Sequence, residues 1–488
     1  MEYFMKKPTL ILKALCMALT AVLLLPAMSC AKTPDNGDDT TPEDTTAADT
    51  TQVPETTIAD TTEEPDAIFA EAEECRAATE SVQPIELMLG MWVTPRPHLM
   101  TTQEDADARF AEIREAGINM VYSFGESNDA ALMDRMLKAA EKNGVKVMIE
   151  LWRVVDATTI EANLALINQT KDYPAVLGYN MYDEPNASVY SLLSQQYEKI
   201  RAVVGEDKLI MCNLFPNYAK DSQLGISSGN DGMTTYQVYL DRFMSEVKSD
   251  ILSFDHYPFK ASDTQDQNNI KQMLKNFSDI VLCARKYDVP TWGFVQNSSW
   301  AGTRIPNDDE LRWLSHFHLI FGLDSYSYFL YSQPYNVESS EGVFEGMLTY
   351  DGERTEIYDR VKANNEALAG MKGRYLAYEL KGFNVSKMSS GYKASISKEL
   401  YLENFGPLTG VDGTHNVLVG CFENEETVAY YVMNFNYRFE NTAILDFGDG
   451  SDFTVWGADC VESMGTAKKL EINLLPGEGK FIEMKKYN

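Results

Sequence analysis

The sequence predicts an α/β chain: a (β/α)8 TIM barrel over residues 67–373, then a small antiparallel β-sandwich over residues 374–488. Between about residues 85 and 371, short apolar-aromatic runs alternate with amphipathic segments, the pattern of βα units laid into a parallel sheet. Eight such runs within roughly 290 residues are the complement of one closed barrel. From about residue 375 the helical segments stop, and short runs separated by Gly and Pro turns take over, as in an antiparallel sandwich.

The strand candidates are Ile85–Val93, Met120–Phe124, Lys146–Leu151, Val176–Tyr182, Lys208–Asn213, Ile251–His256, Thr291–Gln296 and Ser325–Tyr331. Helices fall between them. Asp105–Ala116 follows Thr101 and Thr102, Ala130–Asn143 stops at Gly144, and Ser191–Val204 stops at Gly205. Hydroxyls at a helix start accept its first free amide hydrogens, and glycine past the end takes a left-handed turn that other side chains resist. Glu353–Met371 reads as the closing helix, and Ser332–Gly346 as a loop long enough to cover a site. In the C-terminal part, Val417–Phe422, Thr427–Phe435, Thr442–Phe447, Phe453–Trp456, Lys469–Leu475 and Lys480–Met484 read as strands, with turns at 448–451 and Pro476-Gly477.

Ahead of the barrel, Lys6, Lys7 and Lys13 precede an apolar run from about Ala14 to Leu25 and the stretch Ala27-Met28-Ser29-Cys30, the make-up of a secretory signal over residues 1–30. Its end resembles a bacterial lipobox. That resemblance implies lipidation of Cys30 and a mature chain anchored at the cell surface or otherwise outside the cytoplasm. An uncleaved membrane anchor is the other reading, for which the run is short. Residues 31–66 are mostly Thr, Pro and acids, and eleven acids against Lys32 give this stretch a net charge of −10. Such a segment buries too little apolar surface to offset its ordering entropy and reads as a disordered tether. The whole chain carries −31, which argues against a nucleic-acid partner and leaves the lipid at Cys30 as the membrane contact. Cys75, Cys212, Cys283, Cys421 and Cys460 are odd in number and widely spaced, so neither a zinc site nor a disulfide framework is expected. Cys421 with Cys460 is the one bridge considered, with buried free thiols preferred.

In such a barrel the carboxyl ends of the strands build the site, whatever the chemistry. Here they carry Trp92, Thr94 and Arg96, then Glu126, Glu150 with Trp152, Asp183 with Glu184, and Asn213. Asp255, His256 and Tyr257 follow, then Gln296, Asn297 and Trp300, and last Tyr331 with Gln333. Carboxylates, amides and aromatic faces suit a sugar, whose ring faces stack on aromatic rings and whose hydroxyls pair with planar donors and acceptors. Glu184, Asp183, Asp255 and Glu150 are the catalytic candidates. Trp92, Trp152, Asn213, Tyr257, Gln296, Trp300 and Tyr331 are the carbohydrate-binding candidates. No phosphate-cradling Gly-rich loop and no His-x-x-Glu cluster occurs, so neither metal nor cofactor is expected, and His316 and His318 read as structural.

The most specific stretch is Gly178-Tyr179-Asn180-Met181-Tyr182-Asp183-Glu184-Pro185. With its lead-in from Tyr173 it resembles strand four of the clan A glycoside hydrolases, (β/α)8 enzymes in which a carboxylate before a proline is the catalytic acid/base. The resemblance implies that Glu184 protonates a glycosidic oxygen; a helix N-cap is the other reading. It also implies a glutamate nucleophile at the end of strand seven, where this chain has Gln296, and an asparagine where it has Asp183. Three routes accommodate the departure. In one, a 2-acetamido group of the substrate attacks, as in the retaining N-acetylhexosaminidases whose adjacent Asp-Glu pair Asp183-Glu184 resembles. In the others, Asp255 or Glu150 acts as the base of an inverting reaction or as a relocated nucleophile. The expected function is a surface-anchored glycoside hydrolase acting on O-glycosidic bonds. The alternative is a non-catalytic glycan-binding lipoprotein on a barrel that has lost its nucleophile.

Overall fold

The computed structural model describes residues 67–81, 86–229, 232–300, 302–334, 342–368, 371, 373–458 and 460–484. The expected signal with Cys30, the tether over 31–66 and Ile85 lie outside the described residues, as does part of the loop from Ser332 to Gly346.

Eight parallel strands alternate with eight helices. They are β1 Met88–Trp92, α1 Gln103–Glu115, β2 Met120–Tyr122, α2 Ala130–Lys142, β3 Lys146–Glu150, α3 Ala157–Thr170, β4 Val176–Asp183 and α4 Tyr190–Val204. The second half is β5 Leu209–Leu214, α5 Thr235–Glu246, β6 Leu252–Phe254, α6 Asp266–Tyr287, β7 Thr291–Gln296, α7 Asp308–Ile320, β8 Ser325–Phe329 and α8 Glu356–Glu366. Each strand pairs with the next in the order β1-β8-β7-β6-β5-β4-β3-β2. The remaining seam is closed by the Asn119 N–H on Leu89 O at 3.1 Å and the Thr94 N–H on Tyr122 O at 2.9 Å.

Side-chain alternation divides the core. Met88, Met120, Tyr122, Met148, Leu177, Leu209, Met211, Trp292 and Phe294 pack on one another inside the barrel. Their neighbours Leu89, Val121, Val147, Ile210 and Val295 join a larger cluster shared with the helices. The expected helix signals operate: Thr102 and Asp105 form a capping box on α1, and Gly205 ends α4 with φ +60°. The closing helix is shorter than expected, at Glu356–Glu366.

The C-terminal strands are β9 Glu379–Ser386, β10 Gly410–Gly413, β11 Val417–Glu423, β12 Val428–Asn434, β13 Asn441–Trp456, β14 Val461–Leu474 and β15 Gly479–Met484. All pair antiparallel. Two expected strands, Thr442–Phe447 and Phe453–Trp456, are one: the glycines at 448 and 450 bend β13 with a shift of register between Asp446 and Ser451 and do not reverse it. The first described residues also belong here, since Ala67–Phe69 pairs with β14 and helix Ala72–Ser81 donates nothing to the barrel sheet. Cys421 and Cys460 are free thiols.

Barrel and sheet meet on α7, which is buried on nearly all sides. His316 Nδ1 lies 2.6 Å from the Tyr431 hydroxyl, and the Trp313 indole N–H donates to Phe435 O at 3.3 Å. His318 Nδ1 bonds Leu314 O at 2.7 Å. Burial lowers His316 to about 3 and His318 to about 4, so both rings stay neutral in the physiological range.

Strand β4 passes so close to β5 that a Cβ on Gly178 would sit 2.2 Å from Leu209 O. Gly178→Ala is expected to destabilise the fold by about 1–3 kcal/mol, because backbone on both sides must move. Chemical unfolding of the variant at wild-type stability would contradict this packing.

Candidate active site

At the carboxyl end of β4 the register against β5 shifts between Asn180 and Asp183, and Glu184 follows with φ +53°. A bulge and a left-handed residue in succession re-aim side chains that simple alternation would send to opposite faces. The Glu184 N–H is fixed on Asn213 O at 2.8 Å. Asn213 lies at the end of β5: its Nδ2 donates to Asp183 Oδ1 at 3.2 Å, while its Oδ1 accepts from the Ser253 hydroxyl at 3.0 Å. On the other side, Asn180 Nδ2 donates to Glu150 Oε2 at 2.7 Å.

These acids act on one another electrostatically. Burial pushes Glu150 well above the carboxylate range, and the charge of Asp183 adds to it, against the Asn180 bond and Arg153. Burial raises Asp183 too, opposed by Asn213 and Arg153. Asp255, just past β6, is raised well above its ordinary value by burial, then by Glu184 and Asp183, with Lys260 opposing. Its Oδ1 is buried without a hydrogen-bond partner. Lys260 lies 5.1 Å from the ring centre of Tyr218, and burial lowers its own pKa. The four catalytic candidates therefore share one electrostatic neighbourhood. Beyond them, fully buried Glu126 accepts from the Thr94 hydroxyl at 2.6 Å and from the Phe124 N–H, and burial raises it to about 7.

The aromatic candidates divide. Trp92 is half-buried, 5.1 Å from Tyr122 between ring centres. Tyr257, Trp300 and Phe329 form a wall with centres 4.9–5.5 Å apart, extended by Phe344 parallel to Trp300 at 6.5 Å. Trp152 packs against the barrel–helix core. Two candidates lie elsewhere. Tyr331 is fully buried in that same core, where the charges acting on it are Glu112, Tyr358, Arg109 and Arg354 and not the site's acids. Gln296 is fully buried as well, with its side-chain amide bonded to the backbone of Phe259 and Arg304. His256 is held by Asn276 at 2.9 Å and lowered to about 3 by burial. Sequence reasoning did not single out Asn180, Arg153, Tyr218 or Lys260. Asn180 stood inside the most specific stretch; the other three sit on connections without a motif.

Residues 176–371, from the start of β4 past α8, match the Glyco_hydro_42 family, described as Beta-galactosidase. No curated protein matches the chain. Among solved structures, a glycoside hydrolase family 5 protein from Bacteroides vulgatus ATCC 8482 aligns with TM-score 0.51 at 12% identity, over 82% of this chain and 89% of that one. A catalytic mutant of the GH42 β-galactosidase from G. stearothermophilus aligns with TM-score 0.50 at 9% identity, over 82% and 98%. The β-galactosidase from Marinomonas ef1 aligns at TM-score 0.41 and 12% identity over 57% of this chain, which spans 59% of that protein's length. The first two share the barrel fold. The family match supports glycosidase chemistry in its second half.

Glu126, Glu150, Asp183 and Asp255 all hold their protons more tightly folded than unfolded. At these four carboxyls the folded chain carries extra protons, a contribution to stability that grows as pH falls toward about 4, whereas the buried neutral rings of His256, His316 and His318 oppose it below about pH 6.5. Glu126 alone contributes on the order of 3 kcal/mol between about pH 7 and about pH 4. In thermal unfolding, the midpoint at pH 5.5 relative to that at pH 7.5 should be lower in Glu126→Gln than in wild type, because the variant lacks the Glu126 contribution; equal pH slopes in the two proteins would contradict the assignment.

Proposed function

We propose that this chain is a glycoside hydrolase in which Glu184 is the proton donor and Asp255 the second carboxylate. One observation carries the reading: two acids from different strands, Glu184 after β4 and Asp255 after β6, act strongly on one another, and Asp255 keeps a buried oxygen without a partner. Burial, and then the charge of Glu184, make Asp255 hold a proton to higher pH than a free carboxyl, so the two acids resist ionising together and a proton is kept between them for a general acid to use. Asp183 is engaged by Asn213 and Glu150 by Asn180, which suits them to hold and tune the pair.

In the reaction Glu184 gives its proton to the glycosidic oxygen as the bond from that oxygen to the anomeric carbon breaks. The Asp255 carboxylate then either forms an ester with that carbon or takes a proton from the attacking water; separations of about 5–5.5 Å and about 6.5–9.5 Å mark the two outcomes. The family match makes β-galactosides the first substrates to try. A 2-acetamido sugar would enlist Asp183 to orient its amide in place of Asp255.

A release assay over β-galactosides, other plain hexosides, 2-acetamido glycosides and natural glycans tests this. Glu184→Gln and Asp255→Asn should each lower turnover of natural glycans by about 10²–10⁴-fold, with Asp183→Asn milder. Release confined to 2-acetamido sugars and lost in Asp183→Asn, with Asp255→Asn active, would select substrate assistance. Glycan binding without release of any substrate would select the binding-protein reading.

We further propose that Cys30 carries lipid and holds the barrel outside the cell on the tether. The net charge of −31 supports no other attraction to an anionic surface. In a detergent phase-partition experiment the wild type should enter the detergent and Cys30→Ser the aqueous phase. Equal partitioning of the two proteins would overturn the anchor.

A further inference from the structure

We infer that Gln296 is a positioning residue that sets the loop bearing Asp255 and Lys260 in its working place, an inference that rests on the glycosidase reading. Gln296 ends β7 and is fully buried. Its Nε2 donates to Phe259 O at 2.9 Å and to Arg304 O at 2.9 Å, and its Oε1 accepts from the Phe259 N–H at 3.1 Å. Both amide hydrogens and the carbonyl are engaged at once. The acceptors sit on two different connections, one following β6 and one following β7.

Those connections are laced together around this amide. The Arg304 N–H donates to Phe259 O at 3.3 Å, the Ala261 N–H donates to Gly302 O at 2.9 Å, and Lys260 bridges Thr303 antiparallel. The Arg304 guanidinium is then pinned by Glu310 and by Asp266 at 3.0 Å. The β6 connection carries Asp255, Tyr257 and Lys260; the β7 connection carries Trp300. Gln296 thus couples the second carboxylate and its cation to one end of the aromatic wall.

The residue type is dictated by the partners. Two carbonyl acceptors and one N–H donor call for a group with two hydrogens to give and one oxygen to receive, which a primary amide supplies and an ionised carboxylate does not. An ionised glutamate here would face two carbonyl oxygens without a hydrogen for either, and a protonated one would have a hydrogen for only one. The amide at the end of β7 is therefore matched to its surroundings and is not a vacated nucleophile.

The groups acting on Asp255 are Glu184 and Asp183 from β4, which raise it, and Lys260 on its own connection, which lowers it; Tyr257 and Tyr218 lie against the same charge. Loosening the clamp moves Lys260 away from Asp255. The carboxyl then keeps its proton to higher pH, and turnover falls because the carboxylate is misplaced.

The test compares wild type, Gln296→Met, Gln296→Glu and Lys260→Met by kcat and KM across pH on whichever substrate the panel identifies. Asp255 is also titrated by ¹³C NMR on aspartate-labelled protein, with Asp255→Asn identifying its resonance. Both Gln296 variants should lose roughly 100-fold in kcat, the cost of about 1 Å of misplacement. Their Asp255 titration should shift upward, as in Lys260→Met. Gln296→Glu as active as wild type, or a Gln296→Met titration equal to wild type, overturns the inference while leaving the enzyme reading intact. A Gln296→Met titration shifted from that of wild type, where the wild type turns over nothing, removes the enzyme reading and leaves the clamp standing.

Discussion

Five carboxyl groups gathered at one mouth of an apolar barrel are the constraint to which the rest of the structure answers. A charge removed from water costs several kcal/mol unless it is paired or hydrogen-bonded, and like charges close by add to that cost. The chain responds mainly with neutral donors: Asn180 for Glu150, Asn213 for Asp183, and Thr94 for Glu126. Arg153 and Lys260 act on the cluster as charges from its edge. Neutral donors do not cancel the effect of burial, so Glu126, Glu150, Asp183 and Asp255 hold their protons to higher pH than free carboxyls, where full ion pairing would have fixed them as carboxylates. A mouth built this way stores protons and is suited to give one up.

Such a mouth needs rigid strands beneath it, and the C-terminal sheet supplies part of that support. Helix α7 is buried on nearly all sides: Trp313, His316 and Phe317 are held between the barrel and Tyr431 of β12 with Phe435 just past it. The strands on either side of α7 in sequence are β7 and β8, so the sheet braces the half of the barrel in which Gln296 and the aromatic wall lie. Pairing of Ala67–Phe69 with β14 brings the two ends of the described chain into one sheet. The small domain is thereby tied to both ends of the barrel segment.

Most of the barrel was legible because its signals are local. Period-two apolar runs placed all eight strands, and Gly205 and Thr102 marked helix ends by the conformation or hydrogen bond that each residue type supplies. What was not legible depends on events at strand ends. Tyr331 follows Phe329 by two residues and so reads as inward, but the strand ends at Phe329. The chain then turns, with the Tyr331 N–H on Trp92 O at 2.7 Å and the Leu348 N–H on Tyr331 O at 2.7 Å, and the ring enters the outer core. Asn180 was hidden because the register that sets it opposite Glu150 depends on a shift between Val147 and Met148 in the pairing of β3 with β4, which neither strand shows alone. The expected break at 448–451 failed because glycine permits a bend as readily as a reversal, and only the pairing with β14 on both sides of it decides.

The order of strands around the barrel sorts the mouth into two arcs. Going from β2 through β6, the strand ends carry Glu126, Glu150, Asp183 with Glu184, and Asp255. Continuing from the β6 connection through β7 and β8 to β1, they carry Tyr257, Trp300, Phe329 and Trp92. Among the rings of the Tyr257–Trp300–Phe329 wall and Trp92, the meeting point with the acids is β6, where Asp255 and Tyr257 are two residues apart. A sugar is itself two-sided, with apolar C–H faces and a rim of hydroxyls, so under the proposed reading it stacks on one arc and presents its glycosidic oxygen to the other. The overlap at β6 is where the two functions must be held in register, and it is the connection that the Gln296 amide grips.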